Sequence, residues 1–237
     1  MLRSTAHLLS GAVLAAAFLP GCASNQSVLD RPTTKAQQQE LTPDAALKRL
    51  EEGNARFRSG KVLHRDVPHD VRSSAAGQYP FAVVLSCMDS RTGPETIFDQ
   101  GIGDIFGPRI AGNYVQADLL GCLEFATKVS GARLVMVLGH TSCGAIKGAC
   151  DDVQLGNLTT VIQAIRPSVA AVPGFEGHRD SHNPAFVLAV TEANVRRTVA
   201  DIRAGSPIIR ELEQSGQIRV VGAMYDLDTG EVRVIEQ

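Results

Sequence analysis

Phe81-Ala82-Val83-Val84-Leu85-Ser86-Cys87-Met88-Asp89-Ser90-Arg91 sets an unbroken run of apolar residues directly against a polar, reactive end. A run this short, without polar alternation, predicts a strand buried on both faces, as in a parallel sheet. The pattern returns at Arg133-Leu134-Val135-Met136-Val137-Leu138-Gly139, and there too it runs straight into chemistry: His140-Thr141-Ser142-Cys143-Gly144. Ligands of open α/β sheets bind in the crevice at the carboxyl ends of the strands. If the two runs are neighbouring parallel strands, Cys87, Asp89, His140 and Cys143 meet at one place.

Working outward, residues 218–224 repeat the buried-strand pattern, and residues 104–110 give a shorter candidate interrupted by Gly107-Pro108. Residues 231–235 follow the turn signal Asp228-Thr229-Gly230 and are expected to pair antiparallel with the strand before them. Helical patterns lie between, at 117–130, 145–150, 157–170, 183–204 and 207–214. An earlier helix opens at Leu41-Thr42-Pro43-Asp44, with Thr42 as N-cap and Pro43 in the first turn, and ends at Gly60. Strands alternating with helices predict an α/β fold: a mostly parallel four- to five-stranded sheet with helices on both faces. There is no internal repeat and no linker within residues 41–237, which read as one domain.

The amino terminus reads differently. Arg3 precedes an apolar run over residues 8–18, too short for a transmembrane helix, which needs about 20 apolar residues. It suits a secretory signal, and Leu19-Pro20-Gly21-Cys22 resembles a bacterial lipobox, with Cys22 as the lipidated residue. Residues 1–22 are therefore expected to be a lipoprotein-type signal peptide, and residues 23–40, rich in Ser, Gln and Thr, a flexible tether. The expected location is exported and periplasmic, held to a bacterial membrane by lipid alone, with Ala23 after the Cys favouring the outer membrane. The formal net charge of −2 argues against a nucleic-acid partner recognised through a basic face. Hydrophobic residues at 44% allow a substantial core.

Setting Cys22 aside leaves Cys87, Cys122, Cys143 and Cys150. In an exported protein an even number invites disulfides. Taken singly, a Cys after an apolar strand is a small buried hydrophobe and a His at a strand end a hydrogen-bonded loop residue. The two pairs at equivalent strand ends point instead to a metal: two thiolates, an imidazole and a carboxylate suit tetrahedral Zn²⁺. Cys122 falls among Leu119, Leu123 and Phe125 and is expected in the core; Cys150 is expected there or half-exposed, and a Cys122–Cys150 bridge stays open. His178 and His182 have a metal-like spacing, but Pro173, Gly174 and Gly177 beside them indicate a loop.

Cys-x-Asp-x-Arg at 87–91 and His-x-x-Cys-Gly at 140–144 together resemble the β-carbonic anhydrase signature. Phe98-Asp99-Gln100-Gly101-Ile102-Gly103-Asp104-Ile105-Phe106, Arg109-Ile110-Ala111-Gly112-Asn113 and Gly53-Asn54-Ala55-Arg56-Phe57 are also similar to family sequence. Gly107-Pro108 and Thr92-Gly93 depart from it. The resemblance implies reversible hydration of carbon dioxide to bicarbonate and a proton, by attack of hydroxide on a zinc held by Cys87, His140 and Cys143. Asp89 would orient that hydroxide while paired to Arg91, or ligate zinc when the pair breaks. Gly112, Asn113 and Gly144 would line the substrate pocket. Two thiolates cancel the charge of the ion, so activity should climb into the alkaline range. Homodimers or larger homo-oligomers are implied, with the N-terminal helix crossing to a neighbour. The alternatives are a zinc hydrolase of carbonyl sulfide or carbon disulfide, a non-catalytic zinc-stabilised binding protein, and an exported binding protein stapled by a Cys87–Cys143 disulfide.

Overall fold

A computed structural model describes residues 31–236. Five strands form one sheet: β1 (Ala82–Ser86), β2 (Ile105–Phe106), β3 (Leu134–His140), β4 (Arg219–Tyr225) and β5 (Val232–Glu236). Their order is β2-β1-β3-β4-β5. The first four run parallel and β5 is antiparallel to β4, as the turn at 228–230 predicts. Every residue of β1 and β3 is buried, which is why both lack polar alternation.

Helices cover both faces. On one, α2 (Pro43–Ser59) and the short α4 (Pro94–Ile97) lay Leu47, Leu50 and Ile97 on Val84, Met136, Leu138 and Val221. On the other, α5 (Ala117–Glu124), α8 (Pro184–Gly205) and α9 (Pro207–Gln214) lay Leu123, Val195, Val199 and Ile209 on Val83, Leu85, Val135 and Val137. A third cluster sits at the carboxyl end of the strands. There α6 (Gly144–Cys150), α7 (Leu158–Ala170) and α8 surround Cys87 and Cys143 with Ile146, Ile162, Ile165, Phe186 and Val190. Among the described residues, no helix is long and apolar enough to cross a membrane.

Three expectations change in detail. The flexible tether expected over residues 23–40 fails from Thr33 onward: Thr33 is buried and bonds Asp104 Oδ1 through its N–H at 2.9 Å, and Lys35–Glu40 forms α1. Thr34 and Gln37 close a reciprocal capping box, and the buried Gln38 amide donates to the carbonyls of Pro80 and Ser130, each at 2.7 Å. The strand expected over 104–110 contracts to Ile105–Phe106, since Pro108 lacks an N–H for the ladder. Its carbonyl still accepts from Ser86, and Ile110 N–H donates back to Ser86, so the segment stays alongside β1. The helix expected over 117–130 finishes as a π-helix, Phe125–Val129. Residues 1–30, including the signal-peptide reading and Cys22, lie outside the described residues.

Candidate metal centre

The register explains the convergence. Ser86 pairs with Leu138 across β1 and β3, so Cys87 leaves its strand beside Gly139-His140. Cys143 follows after a tight turn, with Ser142 at φ 56, and stands as N-cap of α6. The Sγ atoms of Cys87 and Cys143 lie 3.9 Å apart, unbonded. Two sulfurs on one tetrahedral zinc, each bond near 2.3 Å, would stand about 3.8 Å apart. One ligand atom from each of Cys87, His140 and Cys143 lies within 4.8 Å of the other two, and all three residues are buried.

His140 supplies the decisive detail. Its Nδ1 donates to the carbonyl of Thr141 at 2.9 Å, which leaves the Nε2 lone pair free. That Nε2 is buried and has no partner among the described residues. An unmatched acceptor of this kind is costly unless something positive meets it. The donor set therefore fits a divalent cation of zinc's preference.

The two thiols are electrostatically unequal. Cys87 is held far below a thiol's ordinary value by its contact with Cys143, against the opposing effect of burial, with help from the N–H groups of Gly112 and Asp89. Both N–H groups lie 3.4 Å from the sulfur. Cys143 is driven up by its neighbour Cys87 and by burial. Two sulfurs this close share one proton, and a bound cation removes the reason to keep it.

Asp89 stands outside the three-ligand cluster. Arg91 grips it in a fork, Nε to Oδ1 at 2.9 Å and Nη2 to Oδ2 at 2.8 Å, and also donates its own N–H to Oδ1 at 3.0 Å. These bonds hold the carboxyl well below the usual carboxylate range. Of the remaining expected residues, Gly112 touches the site through its N–H on Cys87. At φ 79, with Ile165 Cδ1 only 2.4 Å from where a Cβ would stand, no side chain fits there. Asn113 is fully buried at φ 42, and its side-chain amide has no partner among the described residues. Gly144 opens α6 beside Cys143 and is exposed.

Three supporting residues escape the sequence reading. Arg109 donates Nε to the carbonyl of Cys87 at 2.9 Å and Nη2 to that of Asp89, bracing the turn between ligand and dyad. Thr92, flagged only as a departure, donates to the same two carbonyls. Asn194 donates to the Gly112 carbonyl at 2.8 Å and accepts from Ser168. Its signal was an Asn on the helical stripe shared with Val187, Val190 and Thr191, where a buried amide needs a backbone partner. Cys122, expected in the core, is exposed, one helical step off the stripe that buries Leu123 and Ala126. Neither it nor Cys150 forms a disulfide. His178 and His182 lie in the irregular stretch between α7 and α8.

With this geometry in hand, a carbonic anhydrase family profile matches residues 82–232. The chain belongs to the β-carbonic anhydrase family. It is 40% identical over 194 residues to carbonic anhydrase 2 of Mycobacterium tuberculosis, covering 79% of this chain and 90% of that one. It is 35% identical over 201 residues to a carbonic anhydrase of Mycolicibacterium smegmatis, covering 81% and 93%. The β-carbonic anhydrase of Coccomyxa, solved with acetazolamide, superposes with a TM-score of 0.61 at 26% identity, covering 80% of this chain and 86% of that chain. CafA of Aspergillus fumigatus superposes with a TM-score of 0.61 at 25% identity, covering 81% and 89%. The family match spans both metal motifs and the dyad between them.

Proposed function

We propose that this β-carbonic anhydrase holds Zn²⁺ through Cys87, His140 and Cys143 and catalyses the reversible hydration of carbon dioxide to bicarbonate and a proton. The observation that carries the reading is the orphaned Nε2 of His140 facing two buried sulfurs 3.9 Å apart. Zinc held there would lower the pKa of its water, making hydroxide available near neutral pH. The chain's own residues do the rest. The Thr141 carbonyl fixes the His140 tautomer, and the Gly112 and Asp89 N–H groups stabilise the Cys87 thiolate. Arg91 keeps both Asp89 oxygens engaged, holding the carboxylate off the ligand set as a charged acceptor for the proton that orients the nucleophile. Were that pair to break, the Asp89 carboxylate would be released as a fourth ligand for the ion. Gly112 and Gly144, adjoining the two sulfurs, and the unmatched Asn113 amide line the pocket in this reading.

A purely structural zinc site needs no such dyad, which speaks against a non-catalytic binding role. The test is metal analysis of the purified chain with stopped-flow carbon dioxide hydration, run beside an assay for sulfide release from carbonyl sulfide. One zinc per chain and fast hydration that climbs with pH support the reading. Absence of zinc, or sulfide release outpacing hydration, would sink it.

Export with lipidation at Cys22 belongs to the same proposal. It is checked by metabolic labelling with palmitate, which should mark the wild-type chain and not Cys22→Ala. Self-assembly is proposed from the exposed apolar side chains of Phe125 and Met88. Sedimentation should give a dimer or larger species.

A further inference from the structure

At the amino-terminal end of the strands, opposite the metal centre, a cavity of about 580 Å³ opens between α1, the π-helix and the residues that precede β3 and β4. Seven residues of strand separate Arg133, on its wall, from His140, or roughly 23 Å at strand rise. Among the described residues its lining includes Lys35, Lys128 and Arg133 and no Asp or Glu. Arg49, Arg56 and Arg65, by contrast, each meet a buried carboxylate. Here, among the described residues, none of the three forms an ion pair.

Two further features shape the cavity. Arg133 is held on its wall by donating Nη2 to the Gln39 carbonyl at 3.2 Å, a bond that leaves its positive charge unbalanced by any carboxylate among the described residues. The wall itself also contributes little to the core: α1 buries only Gln38. That residue's amide occupies the carbonyls of Pro80 and Ser130, two negative dipole ends that would otherwise face an incoming anion. The opposite rim is the π-helix and its exit, an irregularity often found at functional sites.

We propose that this cavity is a second ligand site, separate from the metal centre, that takes a small phosphate-bearing molecule. Three unpaired cations match a dianion better than a monoanion, and the volume exceeds what phosphate alone fills. The amides of Gln78 and Gln217 line the remainder and supply hydrogen bonds to an uncharged portion. A concave recess between α1 and the π-helix suits a discrete molecule in solution rather than a lipid surface.

The test is titration calorimetry of the zinc-loaded full chain with inorganic phosphate at pH 8 and low salt. Saturable binding of one phosphate per chain is expected, weakened about five-fold by Lys128→Gln and about ten-fold or more by Arg133→Met. Lys128 is exposed, so its replacement keeps the test open if Arg133→Met fails to fold. Absence of saturable binding overturns the proposal. So does binding that neither substitution alters, which places the phosphate elsewhere, at the metal centre included. A parallel arm uses vesicles containing phosphatidylglycerol. Lysine-dependent binding to vesicles without binding of free phosphate would also overturn it.

Discussion

Gly53→Ala separates local propensity from tertiary fit. Gly53 sits inside α2, where alanine is the better helix former by about 1 kcal/mol, so propensity alone expects a more stable protein. The structure reverses the sign. A Cβ at position 53 would stand 1.8 Å from the Phe98 carbonyl oxygen and 2.7 Å from its carbon. Real contacts of this kind begin near 3.0 Å, so backbone must retreat by about 1.2 Å. Overpacking of this sort costs about 1–3 kcal/mol. The movement also strains the Asn54 amide bonded to Ile97 at 3.2 Å and the Arg56–Asp99 pair at 2.6 Å, each worth about 1 kcal/mol or more. After subtracting the propensity gain, a net loss of about 3 kcal/mol is expected. Urea unfolding of wild type and variant at one protein concentration should show the midpoint falling by about 1 M with the slope unchanged. Gly121→Ala is the control: it lies in α5 with nothing within 4 Å of its would-be Cβ, and should gain up to about 1 kcal/mol. If both substitutions raise the midpoint alike, the claim that Gly53 is dictated by contact with Phe98 is wrong.

Other perturbations follow from the same contacts. Asp89→Asn should keep its zinc but lose turnover by at least about 100-fold, since the amide cannot replace the charged acceptor; metal analysis beside stopped-flow hydration decides. Arg109→Met removes both donors to the Cys87–Asp89 turn and should speed zinc transfer to a chromogenic chelator by about 10-fold or more; an unchanged rate would show the brace to be dispensable. Asp99→Asn keeps a residue type that tolerates φ 46 but removes the carboxylate charge gripped by Arg56 and Arg65, costing about 3 kcal/mol at pH 7. Burial raises the Asp99 carboxyl, and the bonds from Arg56, Arg65 and Leu63 outweigh it, so the folded pKa lies below the ordinary value of 3.8. The stability it supplies is complete above that value and fades as pH falls through the folded pKa. The gap between wild type and Asp99→Asn in urea midpoint should therefore hold from pH 7 to 5 and narrow below about pH 4. A gap independent of pH would count against the ion pair as its source.

The sequence by itself determined the parts governed by local rules. Apolar runs at 81–86 and 133–139 could only be strands covered on both faces, and the caps at Thr42 and Gly60 bounded α2 because those residues satisfy or end a helix locally. The motifs at two strand ends were enough to expect Cys87, Asp89, His140 and Cys143 at one place, since strand termini inherit their position from register; that Asp89 stands apart, held by Arg91, only the structure decided. What only the tertiary structure decided depends on partners far along the chain. Gln38 turned part of an expected tether into α1 because two carbonyls, 42 and 92 residues away, needed a donor. Arg109 and Asn194 took their places behind Cys87 for the same reason: backbone groups buried by the fold must find partners, and no local pattern announces which side chain will reach them. Cys122 went to the surface because a helix's rotation against its sheet is set by the sum of its contacts and not by any one residue's hydrophobicity.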